Sequence, residues 1–156
     1  MTTDKAPLGA QPFLRGMADD QLAKLAALCT HVTMPARQRL FEEGATADRF
    51  WLIDAGQATI DAVLPTRGRL IMAVLGRGDL VGVEWLAPPY RSQFGAVTSQ
   101  PMQAYQFDAT AVRAACDQDP VLGYGLIGRV SRLLVGRLEA VHNRLVEVSA
   151  QAATSV

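Results

Sequence analysis

Short β-type segments separated by turns dominate the middle of the chain, from His31 to Asp108. Seven segments alternate in polarity or are rich in β-formers: HVTM, QRLFEE, RFWLIDAG, QATIDAVL, RLIMAVLG, GAVTS and MQAYQFD. Turn signals between them recur about every ten residues, a spacing typical of a sandwich or barrel of antiparallel strands. The sequence therefore predicts a mainly β fold in which the helices are confined to the flanks.

Helical patterns flank this β region. Before it, Leu22, Leu25, Ala26 and Cys29 have helical spacing, and after it the segment ATAVRAACDQ predicts a second short helix. Asp119 and Pro120 then begin a long helix, because proline suits the first helical turn. We predict a flexible tail over residues 1–12, a β-roll domain over residues 13–119, a dimerisation helix over residues 120–149 and a tail over residues 150–156.

The long helix carries a heptad-like apolar seam. Its members, spaced four, three, four and three residues apart, are Leu134, Leu138, Val141, Leu145 and Val148. Such spacing is typical of a coiled coil, and two-fold dimers are the commonest oligomers, so we expect a homodimer. The alternative is that this face packs on the chain's own β-roll. Four arginines of the helix are predicted to form a solvated face: Arg129, Arg132, Arg137 and Arg144.

Composition narrows the class of protein. The 156 residues include 15 basic and 15 acidic side chains, and this balance argues against a general nucleic-acid or anionic-membrane binder. Hydrophobic residues make up 49% of the chain, as in globular proteins. Without an apolar signal core or membrane-length apolar run, we expect a cytoplasmic protein with Cys29 and Cys116 as buried free thiols.

Catalytic signatures are not found in the sequence. His31 and His142 are far apart and have no third histidine beside them, whereas a cupin-like metal enzyme uses a histidine cluster with a carboxylate. No Ser–His–Asp arrangement, phosphate-binding P-loop or dinucleotide fingerprint is recognisable. We therefore expect no enzyme activity, no catalytic residue, no metal and no cofactor, and we rank a small β-roll enzyme last among the hypotheses.

The segment MPARQRLFEEGATADRFWLIDAGQATI resembles the first half of a cyclic-nucleotide-binding domain of the catabolite-activator (Crp/Fnr) type. The residues that carry the resemblance are Phe41, Glu43, Gly44, Phe50, Leu52, Ile53 and Gly56. The following LGRGDLVG resembles the approach to the family's phosphate-binding cassette, and the long helix resembles its dimer helix. The resemblance covers about residues 13–149 and implies a jelly-roll or cupin-like β-roll with an N-terminal helix and a long C-terminal helix.

The resemblance also implies a ligand site. The family holds a cyclic phosphate with backbone N–H groups of the cassette and one arginine. By resemblance, Gly82 corresponds to the cassette glycine, Arg91 to the phosphate-binding arginine and Ser92 to the small residue beside it. Val83 stands where the family has the carboxylate that accepts from the ribose, so Glu84, one place later, is the candidate for that contact. We predict that Arg91 points into the roll, because the apolar residues around the turn would leave its charge partly desolvated.

Further contacts follow from the same resemblance. Polar side chains of the family's long helix can reach the base, and His142 and Asn143 are the corresponding candidates, although a solvated pair is the alternative. Trp85 and Tyr90 are interpreted as cover for the end of the roll, with stacking on a purine as the alternative.

The expected function is a non-catalytic ligand-sensing regulatory module whose ligand is cAMP or another cyclic nucleotide. The alternative is a degenerate domain that no longer binds nucleotide and acts in protein interaction and dimerisation. Regulators of this family continue into a winged helix-turn-helix, whereas this sequence ends at QAATSV, so we expect no direct binding of nucleic acid. The balanced charge and the lack of a membrane-length apolar run lead us to expect no membrane partner either.

Overall fold

A computed structural model describes residues 5–154 and shows eight strands flanked by four helices. The strands are β1 (Cys29–Met34), β2 (Arg39–Phe41), β3 (Arg49–Ala55), β4 (Ala58–Leu64), β5 (Gly68–Leu75), β6 (Leu80–Val81), β7 (Gly95–Thr98) and β8 (Met102–Asp108). The helices are α1 (Lys5–Gly9), α2 (Asp19–Ala26), α3 (Ala109–Gln118) and α4 (Pro120–Thr154). Single 3₁₀ turns occur at Pro12–Leu14 and Glu84–Leu86.

The strands form two antiparallel sheets of four. The first sheet has the order β1-β8-β3-β6, and the second has the order β2-β7-β4-β5. In the first sheet β3 is central, pairing Trp51 with Gln106 of β8 and with Val81 of β6. This arrangement confirms the predicted jelly-roll architecture with flanking helices.

The first sheet separates two apolar cores. One core lies between the two sheets and contains Trp51, Ile53, Ala96 and Met102. The other lies between the opposite face of the first sheet and the helices. Its buried members include Leu8, Leu25, Phe50, Phe107, Leu122, Leu126 and Val130. Alternation of side chains along β3 explains the division, because Phe50 and Leu52 face the helices while Trp51 and Ile53 face the second sheet.

The structure corrects the predicted boundaries at both ends. The described part of the predicted flexible tail is packed: α1 forms, Leu8 is fully buried, and Gln11 donates to Asp54 Oδ1 at 2.9 Å. Sequence alone does not show this, because a single leucine among small residues gives no periodic pattern. Residues 1–4 lie outside the described residues. At the other end α4 continues to Thr154, beyond the predicted boundary at residue 149.

Most of the predicted elements are present. The helix at Ala109–Gln118 has the predicted bounds, and Asp119 Oδ1 accepts from the N–H groups of Val121 and Leu122 at the start of α4. Strand β6 has only two residues, too few for an alternating pattern. Cys29 begins β1 instead of ending a helix, and no disulfide joins it to Cys116, which is half-buried.

Gly56 is fixed by the close approach of two turns. Its φ is +88°, and a Cβ atom built there would lie 2.1 Å from the carbonyl oxygen of Pro101. Gly68 has a similar φ of +74°, but nothing lies within 4 Å of its hypothetical Cβ. The two glycines therefore separate the cost of the left-handed backbone from the cost of a steric clash.

We expect Gly68→Ala to lower the free energy of unfolding by about 1–2 kcal/mol, the cost of a left-handed conformation. Gly56→Ala adds a backbone clash and should lower it by roughly 3 kcal/mol or more. Urea denaturation of both variants measures the difference. Equal losses would show that the contact between Gly56 and Pro101 relaxes without cost.

Candidate ligand-binding site

Residues 82–93, here called the cassette, link β6 to β7 and contain most of the predicted site residues. The segment begins at Gly82, whose φ of +91° favours glycine. It continues through the 3₁₀ turn at Glu84–Leu86, and Tyr90 adopts a positive φ of 56° before the chain becomes extended again. The cassette is thus an irregular loop whose shape depends on contacts with its surroundings.

An aromatic stack anchors the first half of the cassette. Trp85 is buried, and its ring stacks on Phe50 with centroids 4.3 Å apart, while Phe50 stacks on Phe107 at 4.8 Å. These contacts confirm the interpretation of Trp85 as cover for the end of the roll. Because only 2% of the surface of Trp85 is exposed, its ring is not accessible for stacking on a ligand in this structure.

An arginine of α3 anchors the same loop from the other side. Arg113 Nη1 donates to the carbonyl oxygen of Trp85 at 2.9 Å, and its guanidinium carbon lies 4.2 Å from the centroid of the Tyr90 ring. Such cation–π contacts contribute about 0.5–1 kcal/mol at exposed sites. Tyr90 therefore already has a structural partner. The sequence analysis did not single out Arg113, since nothing in its local pattern distinguishes it from a solvated arginine.

The second half of the cassette pairs with residues 44–47. Gly44 N donates to Ser92 O at 2.7 Å, Ser92 N donates to Ala45 O at 2.8 Å, and Ala47 N donates to Tyr90 O at 2.7 Å. Ser92 is buried, with 5% of its surface exposed. The family-like turn around Gly44 therefore supports the cassette, and the N–H group of Ser92 is used within the chain.

Arg91 lies at the surface, and this differs from the predicted inward orientation. Its Nη1 donates to Gly44 O at 3.1 Å, and the side chain is exposed. The reason is the extended backbone: Arg91 forms a β-bridge with Thr46, and side chains alternate along an extended segment. Because Ser92 faces the interior, Arg91 faces outward.

Glu84 connects the two ends of the cassette. Its Oε2 accepts from the N–H group of Val83 at 3.1 Å, and its Oε1 accepts from the N–H group of Gln93 at 3.4 Å. The side chain is half-buried. The structure thus brings Glu84 close to the Arg91–Gln93 segment and gives its carboxylate two backbone donors.

Arg137 of α4 reaches the strand that leads into the cassette. Its Nη2 donates to the carbonyl oxygen of Leu80, and the side chain is half-buried. Burial lowers the pKa of Arg137, while the nearby charges of Asp79 and Glu84 act in the opposite direction. The predicted solvated face is therefore wrong at Arg137.

The spacing of apolar residues in the sequence indicates that Arg137 lies on the side of α4 that packs on the roll. The side of α4 that packs on the roll carries Leu122, Leu126, Val130 and Leu133, and Arg137 follows four residues later in the same row. Arg129 is also half-buried and donates to Arg15 O at 3.1 Å, whereas Arg132 and Arg144 are exposed as predicted.

His142 and Asn143 lie on α4 beyond the part that packs on the roll. Both side chains are exposed, and among the described residues neither forms a hydrogen bond or ion pair. They are not brought to the cassette of the same chain. Their contact with a ligand stays a prediction.

The described part of the chain has neither a metal-type side-chain cluster nor a membrane-length helix. Within residues 5–154, no three side chains of His, Cys, Asp or Glu come together in a group that could hold a metal ion. No helix in this described part is long and apolar enough to cross a membrane.

The model of the cyclic nucleotide-binding domain family matches residues 31–119, more than half of the chain. The chain belongs to this family. The CRP-like cAMP-activated global transcriptional regulator of Mycobacterium tuberculosis is 24% identical over 136 residues, which are 87% of this chain and 59% of that protein. The chain thus spans about three-fifths of the length of this relative. The match confirms the resemblance inferred from Phe41 to Gly56.

Solved structures share the fold. A cyclic nucleotide-binding domain from Methylobacillus flagellatus superimposes with a TM-score of 0.81 at 20% identity, covering 93% of this chain and 85% of that one. The regulatory subunit of a cAMP-independent protein kinase A from Trypanosoma brucei superimposes with a TM-score of 0.68 at 16% identity. The superposition covers 82% of this chain and 44% of that one. At such identities the similarity establishes the β-roll and its helices.

Removal of the Arg137 guanidinium should loosen α4 from the roll. We expect Arg137→Ala to lower the free energy of unfolding by about 1.5–3 kcal/mol, as for hydrogen bonds that involve a charged group. Amide hydrogen exchange should accelerate in α4 around residue 137. Arg132→Ala is the matched control, because Arg132 is exposed and bonds only to Gly128 O of its own helix. Equal exchange in both variants would contradict a fastening role for Arg137.

Proposed function

We propose that this chain is a regulatory module that senses an anionic cyclic nucleotide at the cassette. Beside family membership, the proposal rests on the observation that Arg91 has no acidic partner among the described residues. Within this described part of the chain Arg91 forms no ion pair, and its guanidinium donates to the neutral carbonyl of Gly44. A guanidinium with a carbonyl partner at the edge of a loop is available to a phosphate, which offers a stronger two-pronged, charge-assisted contact.

The residues around Arg91 support the same site. Gly82, Glu84 and Ser92 belong to the same loop, and Glu84 and Gln93 are already in hydrogen-bond contact. A rotation of the Arg91 side chain away from Gly44 O would be needed to place its guanidinium over the cassette. Because Arg91 is exposed, such a rotation costs little packing.

The ligand that we propose first is cAMP, and another cyclic nucleotide is the alternative. The M. tuberculosis relative is described as activated by cAMP, which supports this choice. The T. brucei neighbour, with the same fold, is described as independent of cAMP, so the fold alone does not select the base. We propose His142 and Asn143 as contacts to the base only if α4 of a second copy brings them to the site.

A second function is favoured by one departure from the family pattern. Val83 occupies the position of the family's ribose-binding carboxylate, and Glu84 is engaged with backbone donors. A domain with such a cassette could act in protein interaction and dimerisation without nucleotide. Calorimetry with a panel of cyclic mono- and dinucleotides separates the two functions.

We further propose that the module is a homodimer through α4. The seam residues Leu138, Val141 and Leu145 are 54%, 62% and 62% exposed in the single chain. Tyr124 and Ile127, which are 83% and 55% exposed, extend the same spacing toward the start of the helix. An exposed row of this length, apolar at every position except Ser131, is typical of a helix that packs against a partner helix. We propose that this dimer acts in the cytoplasm, has no catalytic activity, and passes the signal through α4.

Arg91→Ala should weaken the binding of the cyclic nucleotide identified in the panel. Loss of a charge-assisted contact worth about 1.5–3 kcal/mol corresponds to a Kd that rises roughly 10- to 150-fold. Isothermal calorimetry measures the change, and Arg67→Ala, at an exposed arginine of the β4–β5 turn, is the control. An unchanged Kd for Arg91→Ala would remove Arg91 from the site.

Leu145→Asp should dissociate the dimer, because it places an unpaired charge in the seam, where its burial is costly. Val146→Asp is the matched control: Val146 is the next residue of α4, is 67% exposed and lies outside the four–three row. Sedimentation velocity should show a monomer for the first variant and a dimer for the second. A dimer in both variants would place the interface elsewhere.

A further inference from the structure

The carboxylate of Glu84 occupies a position in the cassette that suits an anion. It lies between the N–H groups of Val83 and Gln93, which come from opposite ends of the cassette and converge on its two oxygens at 3.1 Å and 3.4 Å. Backbone N–H groups that converge in this way bind carboxylate and phosphate oxygens alike, because both are acceptors with a negative charge.

The surroundings of Glu84 add positive charge. The guanidinium of Arg137 is half-buried at Leu80 O, and Glu84 is one of the two acidic residues whose charges act on it. Arg91, two residues before Gln93, has no carboxylate partner among the described residues. Glu84 therefore provides the negative charge within a cassette that presents two N–H donors, and the guanidinium of Arg137 is near enough to interact with that charge.

We propose that Glu84 is an internal anion that occupies the anion subsite of the cassette, and that an anionic ligand group must displace its carboxylate from the N–H groups of Val83 and Gln93. The identity of a nucleotide ligand rests on the proposed function, but the subsite itself rests only on these contacts. The chemical class of the displacing group is a compact oxyanion, such as a phosphate mono- or diester.

Neutralisation of Glu84 has opposite expected effects on ligand affinity in this role and in the ribose-binding role implied by family resemblance. As an internal competitor, Glu84 repels and blocks the incoming anion, so its neutralisation strengthens binding. As an acceptor for the ribose hydroxyl, Glu84 would stabilise the complex, so its neutralisation would weaken nucleotide binding. Inorganic phosphate has no ribose and therefore reports on the first role alone.

The test compares wild type, Glu84→Gln and Glu43→Gln, with inorganic phosphate and cAMP as separate probes in calorimetry. Glutamine keeps the size of the side chain but lacks the charge, and a neutral hydrogen bond is about half as strong as a charged one. We expect Glu84→Gln to bind phosphate about tenfold more tightly than wild type. Glu43 is exposed in the neighbouring loop, so Glu43→Gln controls for the loss of one negative charge near the site.

Several outcomes are decisive. Phosphate affinity that is unchanged or lower in Glu84→Gln overturns the proposal, as does an equal gain in Glu43→Gln. Weaker cAMP binding with unchanged phosphate binding assigns Glu84 to the ribose and likewise overturns it. Tighter phosphate binding by Glu84→Gln without any cAMP binding supports the internal anion while contradicting the cyclic-nucleotide function.

A second variant covers a failure of Glu84→Gln to fold. Glu84→Ala removes the carboxylate and its charge, so that the N–H groups of Val83 and Gln93 lose this internal acceptor. Circular dichroism and thermal unfolding establish whether each variant is folded. We expect Glu84→Ala to bind phosphate more tightly than wild type, and equal or weaker binding overturns the proposal.

Discussion

Stacking of Trp85 on Phe50, and of Phe50 on Phe107, ties the cassette to the sheet on which both cores are built. The first sheet holds the inter-sheet core on one face and the helical core on the other. Because Trp85 extends the helical core to the cassette, the loop has one end fixed in a closely packed interior. The remainder of the cassette is held by polar contacts, which can exchange partners at a lower cost than packed rings can move.

These polar contacts share one chemical pattern. Arg91, Arg113 and Arg137 come from the cassette, α3 and α4, and each donates to a backbone carbonyl oxygen in or beside the loop. A carbonyl is a weaker partner for a guanidinium than a carboxylate or phosphate is. The loop is thus stabilised by cations whose strongest interactions are not used within the chain. Arg113 is further held by the Tyr90 ring, which leaves Arg91 and Arg137 as the cations that an anion could attract.

The fold was largely predictable because it depends on short-range patterns. Turns and alternation identified seven of the eight strands, and only Leu80–Val81 was too short to be recognised. The turn from Phe41 to Gly44 and the strand that follows identified the family. The burial of Leu8 was not predictable, because a single leucine among small residues has no period and is buried by packing against the helical core.

The site was less predictable because side-chain direction depends on pairing. The sequence placed Arg91 in the cassette, but only its bridge to Thr46 and the burial of Ser92 determine that it faces outward. Arg137 shows the opposite case: its spacing from Leu122, Leu126 and Val130 contained the information that it packs on the roll. The prediction of a solvated face for Arg137 rested on its charge alone, although long arginine side chains commonly bury their stems.

Glu84 and Arg137 together suggest how occupancy of the cassette could affect α4. Arg137 holds α4 to Leu80 O, and the negative charges of Asp79 and Glu84 partly offset the lowering of its pKa by burial. If an oxyanion displaces Glu84, the charge near Arg137 is rearranged while its carbonyl partner stays in place. A differential interaction of this kind is what a ligand needs in order to shift an equilibrium between two positions of a helix. The packing of α4 on the roll ends near this level, since Leu133 is packed against the helical core whereas residues 138–154 are exposed. The arginine therefore lies where a change in the cassette can alter the part of α4 that is free to meet a second copy.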